Sequence, residues 1–271
     1  MPTASHSRHA YHATCAAIRL RLSVTDTRHG NLARQFHVAV ARRFPAGTWR
    51  LFHLRPTTLD EHPETGAPSA TLCMNSTFTE GEVFPADRIR KSSAVFNLST
   101  AIMMMFTYSQ ATKGKLLIHA STVRHRGKAN IFLGQSGTGK STHSHLWLEH
   151  IEGAELINDD NPVISIENGI PTVYGTPWSG KTPCYRNTSA PIRAIVRLEQ
   201  APENNISRNK GIAAYTAFIG SVSSIKWNRP IMDGINATAE KIVMSCGIYT
   251  LRCRPDREAA MTCCKAIEES D

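Results

Sequence analysis

Short apolar runs broken by turn residues dominate the chain, and helical periodicity is confined to a few stretches. Residues 36–40 and 49–54 read as short strands, residues 56–69 as turn, and residues 84–90 as a further edge strand or turn. Residues 1–30 show no clear period. Residues 97–111 predict a helix whose apolar stripe includes Leu98, Ile102, Met105 and Phe106, with Met103, Met104 and Met105 as core filler. Beyond Gly114 the pattern sharpens. Residues 115–123 predict a strand, 124–128 a hairpin turn around Gly127, and 129–133 a second strand. Residues 141–150 predict a helix and 155–158 a strand. Strands at 163–166 and 171–174 flank Asn168-Gly169, a strong hairpin signal. A strand at 192–198, helices at 211–226 and 229–245, a strand at 247–252 and a helix at 256–269 capped by Asp256 complete the expectation. Hairpins on both sides of residues 134–141, rather than a steady strand–helix alternation, predict an α/β (α+β) fold with a mixed, largely antiparallel sheet.

Composition narrows the class. A chain of 271 residues with 41% hydrophobic and 20% charged residues can bury a substantial core. No apolar run approaches a membrane span, and Met1–His12 carries His and Arg with no apolar centre, so neither an anchor nor a signal peptide is expected. The net charge of +9 is concentrated: residues 1–56 hold nine Arg, no Lys and one acid, Asp26. That lead segment reads as a solvated extension or as a contact for an acidic partner. No nucleic-acid motif accompanies it, so nucleic acid is not the expected partner. Two domains are expected, a basic β-rich segment over 1–94 and a larger domain over 95–271. Seven cysteines without a C-x-x-C pair predict a reduced, cytoplasmic protein, and Cys263-Cys264 reads as helix packing.

The candidate chemistry centres on Gly134-Gln135-Ser136-Gly137-Thr138-Gly139-Lys140-Ser141, which matches the phosphate-binding P-loop pattern. A strand enters it and a helix leaves it, as the motif requires. Glycines let backbone N–H groups close on phosphate oxygens, Lys140 reaches the β and γ phosphates, and the Ser141 hydroxyl suits Mg²⁺. Thr142 follows as the next residue of the loop. Asp159-Asp160 stands at the end of an apolar strand, where one carboxylate can hold Mg²⁺ and the other orient or deprotonate an acceptor. The competing reading is an exposed acidic turn before Asn161-Pro162. His119 is buried by pattern, either as a satisfied core residue or as a group beside the phosphate loop. Residues 175–182, with Trp178, Ser179 and Lys181, form either a clamp for a phosphate or substrate anion or a structural loop anchored by Trp178; Arg186 is a weaker candidate of the same kind.

These residues carry a resemblance. From His119 to Asp160 the chain resembles the HPr kinase/phosphorylase family and its relatives in the phosphoenolpyruvate-carboxykinase-like nucleotide-binding fold. His119 precedes Gly134 by fifteen residues, as in that family, and Asp159-Asp160 matches its aspartate pair. The likeness covers roughly residues 95–271, and the stretch through the 175–181 loop to residue 204 is similar to bacterial carboxykinase-like or HPr-kinase-like relatives. The resemblance implies ATP and Mg²⁺ as cofactors, Asp159 as base toward a serine hydroxyl, and Asp160 with Ser141 at the metal; the two aspartates can also be read in the opposite order. The departures are His119-Ala120 for the family's His-Gly, Thr142 for its glutamate, and no counterpart of its Glu-x-Arg-Gly signature. They weigh against HPr as acceptor and against the reverse reaction.

The sequence thus predicts a P-loop kinase transferring the γ-phosphoryl group to a hydroxyl, a serine of a protein, a peptide or the free amino acid. It predicts no membrane partner, and self-association is compatible with it. The alternatives are a regulatory protein that binds nucleotide without transfer, or an ATPase coupled to a partner.

Overall fold

The computed structural model describes residues 18–22, 36–40, 49–54, 70–85, 91–180 and 182–270. The chain divides into two compact units, and the division falls inside a helix, between Phe106 and Thr107.

The first unit is an antiparallel sheet of β1 (Ile18–Leu22), β2 (Phe36–Val40), β3 (Trp49–Leu54), β4 (Ala70–Asn75) and β5 (Glu80–Pro85), in the order β2-β1-β5-β4-β3. Leu72, Met74, Val83 and Met105 are buried in it. The β4–β5 turn is shaped by Asn75, whose Oδ1 accepts the backbone N–H of Thr79 at 3.0 Å. Helix α1 (Lys91–Gln110) starts six residues before the apolar stripe predicts, because Val95 and Phe96 in its early turns are exposed and blur the period.

The second unit takes in the end of α1 from Thr107, continues through a 3-10 turn (Ala111–Lys113) and, among the described residues, carries a nine-stranded sheet with four further helices. Its elements are β6 (Lys115–Leu117), β7 (Ala120–His125), β8 (Lys128–Leu133), α2 (Lys140–His150), β9 (Glu155–Asn158), β10 (Val163–Glu167), β11 (Ile170–Tyr174), β12 (Ser189–Gln200), β13 (Asn205–Arg208), α3 (Gly211–Ile219), α4 (Arg229–Ser245), β14 (Gly247–Cys253) and α5 (Arg257–Glu268). The order is β6-β10-β11-β12-β8-β7-β9, with β14 between β12 and β13. Only β12–β8 and β12–β14 are parallel among these pairs; the rest are antiparallel. Helices α2 and α5 pack together over a core of Val123, Phe132, Trp147, Val196, Leu251, Cys263 and Ile267. Ile131, Ile195 and Ile248, one residue out of phase with Phe132, Val196 and Tyr249, are buried on the other face. Helix α3 packs on α4 and against β12 and β14. No helix is long and apolar enough to cross a membrane among the described residues.

Two expectations are corrected. The strand expected over 115–123 is two strands. Leu117 ends β6, which pairs β10, while Ala120 starts β7, which pairs β8 and β9. The break is held by backbone bonds: Ile118 N–H to the Pro162 carbonyl at 3.1 Å, and His119 N–H to the Ser221 carbonyl at 2.8 Å. The same contacts end α3 early. Beyond Gly220 the chain leaves the helix so that residues 221–223 can bond residues 117–119, Ser223 N–H donating to Leu117 at 2.9 Å.

Candidate functional site

Strand β8 ends fully buried at Leu133, and the chain turns through Gly134–Gly139 into α2. Gly137 (φ 83°) and Gly139 (φ 108°) take backbone conformations that side-chain-bearing residues disfavour. Gly139 is the N-cap of α2, and the first turn of that helix carries neither a capping side chain nor an acidic residue. The N–H groups of its first turn, at the positive end of the helix dipole, are therefore left without a side-chain cap. Gln135, Ser136, Gly137 and Thr142 are exposed.

Lys140 is 8% exposed, and its ammonium is turned back under the loop. Nζ donates to the Gly134 carbonyl at 2.9 Å and the Gln135 carbonyl at 3.2 Å, and meets His119 Nε2 at 3.0 Å. Burial pulls the Lys140 pKa below its usual value, while the charges of Asp160 and then Asp159 pull it back up. His119 Nδ1 lies 3.1 Å from Asp160 Oδ1. An ammonium has no acceptor to offer, so Nε2 accepts from Lys140 and Nδ1–H points at Asp160, forming a chain from carboxylate through imidazole to ammonium. The pattern predicts a buried His119. Its side chain is instead 41% exposed, because it sits in the break between β6 and β7.

The aspartates differ. Asp160 is 31% exposed, and its Oδ2 accepts from Asn161 Nδ2 at 2.6 Å. Asp159 is only 3% exposed. Its Oδ1 accepts from Ser121 Oγ at 2.8 Å, and its Oδ2 is buried without a hydrogen-bond partner. Ser121 in turn meets Ser144 Oγ at 2.6 Å, tying the end of β9 to β7 and α2. The pair is oriented by Asn158, whose Oδ1 accepts the N–H groups of Asp160 and Asn161, each at 2.9 Å. Asn158 Nδ2 reaches Thr176 Oγ1 at 3.2 Å. Sequence reasoning missed Ser121, Ser144, Asn158 and Thr176. The signal for Asn158 was present, since an Asn two residues before a backbone N–H is an Asx-turn residue.

The loop after β11 lies on this pair. Asn161 N–H donates to the Trp178 carbonyl at 3.3 Å, and a Cβ at Gly180 would stand 3.2 Å from both the Asp159 carbonyl oxygen and Asp160 Cβ. Trp178 is half-buried. Ser179 is occupied within the loop, donating to Thr182 at 2.6 Å and accepting from the Cys184 N–H at 3.2 Å. Arg186 is not brought to the site. It binds the Leu156 carbonyl at 2.9 Å and Glu155 at 3.4 Å, at the opposite end of β9. Lys181 lies outside the described residues. At Gly175 an added Cβ would run into the Arg186 carbonyl. Gly175→Ala is accordingly expected to destabilise the fold by about 1–3 kcal/mol and to displace the loop. Denaturant unfolding monitored by circular dichroism measures the first effect.

A cleft of about 790 Å³ opens beside the loop, lined by His119, residues 134–138, residues 197–200 of β12, Thr216, Ala217 and residues 220–223. It lies past the carboxyl ends of the parallel strands β8 and β12, where ligand crevices of open α/β sheets form.

Behind the loop, His143 is buried against Phe132, with ring centroids 4.7 Å apart, and its Nε2 accepts from Trp147 Nε1 at 3.1 Å. Burial pushes its pKa down from 6.5 to about 4. The unfolded chain takes up this proton at higher pH than the folded one, so stability is lost as pH falls from 6.5 to about 4. The loss amounts to about 3 kcal/mol. His143→Gln is expected to flatten that segment of a stability–pH curve.

No protein-family model matches the chain, and no curated protein sequence matches it. Among solved structures the chain is similar to the Hpr(Ser) kinase/phosphatase from Coxiella burnetii, with a TM-score of 0.33 and 11% identity over 57% of this chain and 89% of that one. So loose an overlap carries no weight for the chemistry, which rests on the side chains described above.

Proposed function

We propose that this chain binds ATP with Mg²⁺ at residues 134–142 and transfers the γ-phosphoryl group to a hydroxyl, that of a serine in a protein, a peptide or the free amino acid. The observation that carries this reading is the convergence of Lys140, His119, Asp160 and Asp159 at one end of the sheet, beside a glycine-rich loop that leads into an uncapped helix N-terminus. The loop N–H groups hold the phosphates. Lys140 exchanges its carbonyl partners for phosphate oxygens, a stronger charge-assisted bond. The donor set for the cation, the Ser141 hydroxyl and the Asp160 carboxylate, is all hard oxygen and fits Mg²⁺. Bound there, the ion supplies neutralisation of charge on the phosphates. Asp160 is the more exposed of the two carboxylates, which suits it to the metal side. Asp159 keeps the one oxygen without a partner, and therefore a lone pair for the acceptor's proton. In the transfer the acceptor oxygen bonds to phosphorus, the bond to the β-phosphate oxygen breaks, ADP leaves, and the acceptor proton passes to Asp159.

Incubation of the full chain with radiolabelled ATP, Mg²⁺ and serine or serine peptides tests the reading. ADP release matched by phosphoserine supports it, and absence of MgATP binding overturns it. A second reading, nucleotide binding without transfer, is favoured by the burial of Asp159. Tight MgATP binding with no turnover on any acceptor would establish that one instead.

A further inference from the structure

A second cluster lies away from the phosphate loop, where the end of β7 meets α5. Cys264 and Glu268 are four residues apart on α5 and so share a face. His125, the last residue of β7, faces them. The imidazole nitrogen, the thiol sulfur and a carboxylate oxygen all lie within 4.8 Å of one another. His125 Nδ1 is 3.6 Å from Glu268 Oε1. Ligands of one tetrahedral zinc ion, bound at about 2.0–2.3 Å, stand roughly 3.3–3.7 Å apart. The carboxylate and imidazole are already at that spacing.

The hydrogen bonding of the cluster is unusual for a simple ion-pair group. His125 is buried, and a backbone carbonyl at Glu152 accepts from its ring. His125 Nδ1 has no hydrogen-bond partner, so Nε2 is the donor and Nδ1 carries the lone pair. Glu268 Oε1 is also buried without a hydrogen bond of acceptable angle. Two acceptors thus face each other across 3.6 Å, and a cation between them would satisfy both. A ring nitrogen held by a backbone carbonyl, with the other nitrogen aimed at a thiol and a carboxylate, is how proteins orient histidine toward a metal.

We propose that His125, Cys264 and Glu268 bind a zinc ion, with water in the fourth position. The thiol loses its proton on binding. The thiolate and carboxylate then balance the charge of the ion. Two arginines compete for Glu268. Arg126 Nη1 lies 2.8 Å from Oε1, but its side chain is 67% exposed on the β7–β8 turn and can move into water. Arg193, 3.9 Å away and 10% exposed, stays and weakens the site.

Titration of the full chain with Co²⁺ tests this. The expected result is one equivalent bound with a thiolate-to-cobalt absorption band in the near ultraviolet, displaced by Zn²⁺. Cys264→Ser is expected to abolish the band. His125→Gln and Glu268→Gln are expected to weaken binding about tenfold or more. Arg126→Ala is expected to strengthen it about two- to fivefold, the value of an exposed ion pair removed as a competitor. Asp160→Asn is expected to leave the thiolate-to-cobalt band as it is, which separates this site from the phosphate loop. Absence of a thiolate band, its persistence in Cys264→Ser, or unchanged affinity in both Arg126→Ala and Glu268→Gln overturns the proposal. The last pair decides the matter even if Cys264→Ser fails to fold.

Discussion

Lys140→Ala is expected to weaken MgATP binding by about a hundredfold or more. The ammonium makes charge-assisted bonds worth roughly 1.5–3 kcal/mol each, and every 1.4 kcal/mol is tenfold in affinity. The cost to the fold should be smaller. Truncation leaves the Gly134 and Gln135 carbonyls and His119 Nε2 without their donor, but Gly134 and Gln135 are not fully buried and can turn to water. Calorimetric titration with MgATP, alongside a melting curve, separates the two effects. Wild-type affinity in a folded Lys140→Ala protein would remove nucleotide binding from this loop, and with it the proposed kinase.

The two aspartates should fail in different ways. Asp159→Asn can still accept from Ser121, so the Ser121–Ser144 link and MgATP binding should survive. It loses the basic lone pair, and transfer should fall by about 10²–10⁴-fold, the usual contribution of a general base. Asp160→Asn weakens the contact with His119 Nδ1–H and removes a hard anionic ligand. Its Mg²⁺ requirement should rise together with its nucleotide dissociation constant. Turnover measured across a Mg²⁺ series distinguishes the patterns. Wild-type turnover in both variants would end the transfer mechanism; interchanged patterns would exchange the roles of the two carboxylates.

Much of the fold was legible because local chemistry dictated it. Asn168 (φ 50°) and Gly169 (φ 84°) form the hairpin turn their dipeptide predicts, and Asp256 Oδ1 accepts the Ala259 N–H at 2.9 Å as a helix cap should. Strand, glycine loop and helix follow in the predicted order across residues 128–150. Other elements gave no local signal. Five of the six residues of β4 are buried, so it lacks alternation. The residues of β13 are mostly exposed, and it is held by pairing with β14. The break at His119 depends on residues 221–223, a hundred positions away, and no window of sequence contains both. The contrast between a buried Asp159 and an accessible Asp160 is likewise tertiary. Adjacency predicts that they point differently, while the packing of Ser121 and Ser144 decides that Asp159 is the one enclosed.

The strand order has a further consequence. β6 and β7 are consecutive in the chain but stand far apart in the sheet, and so do β9 and β10. Residues 118–119 and 159–162 are nonetheless all that connects them, so the sheet must roll until those strands meet along a seam. His119, Asp159 and Asp160 are the residues of that seam, stitched by Ala120 N–H to the Asp160 carbonyl at 2.9 Å. Released from the strand ladder, their side chains are free of its alternation and can converge. The site is therefore assembled by closure of the roll, which joins distant parts of the chain. Opening the seam would scatter the proposed catalytic groups while leaving the paired centre of β8 and β12 intact. Amide exchange at Ala120 and Asn161 would register such opening well before exchange at Ile131 or Val196.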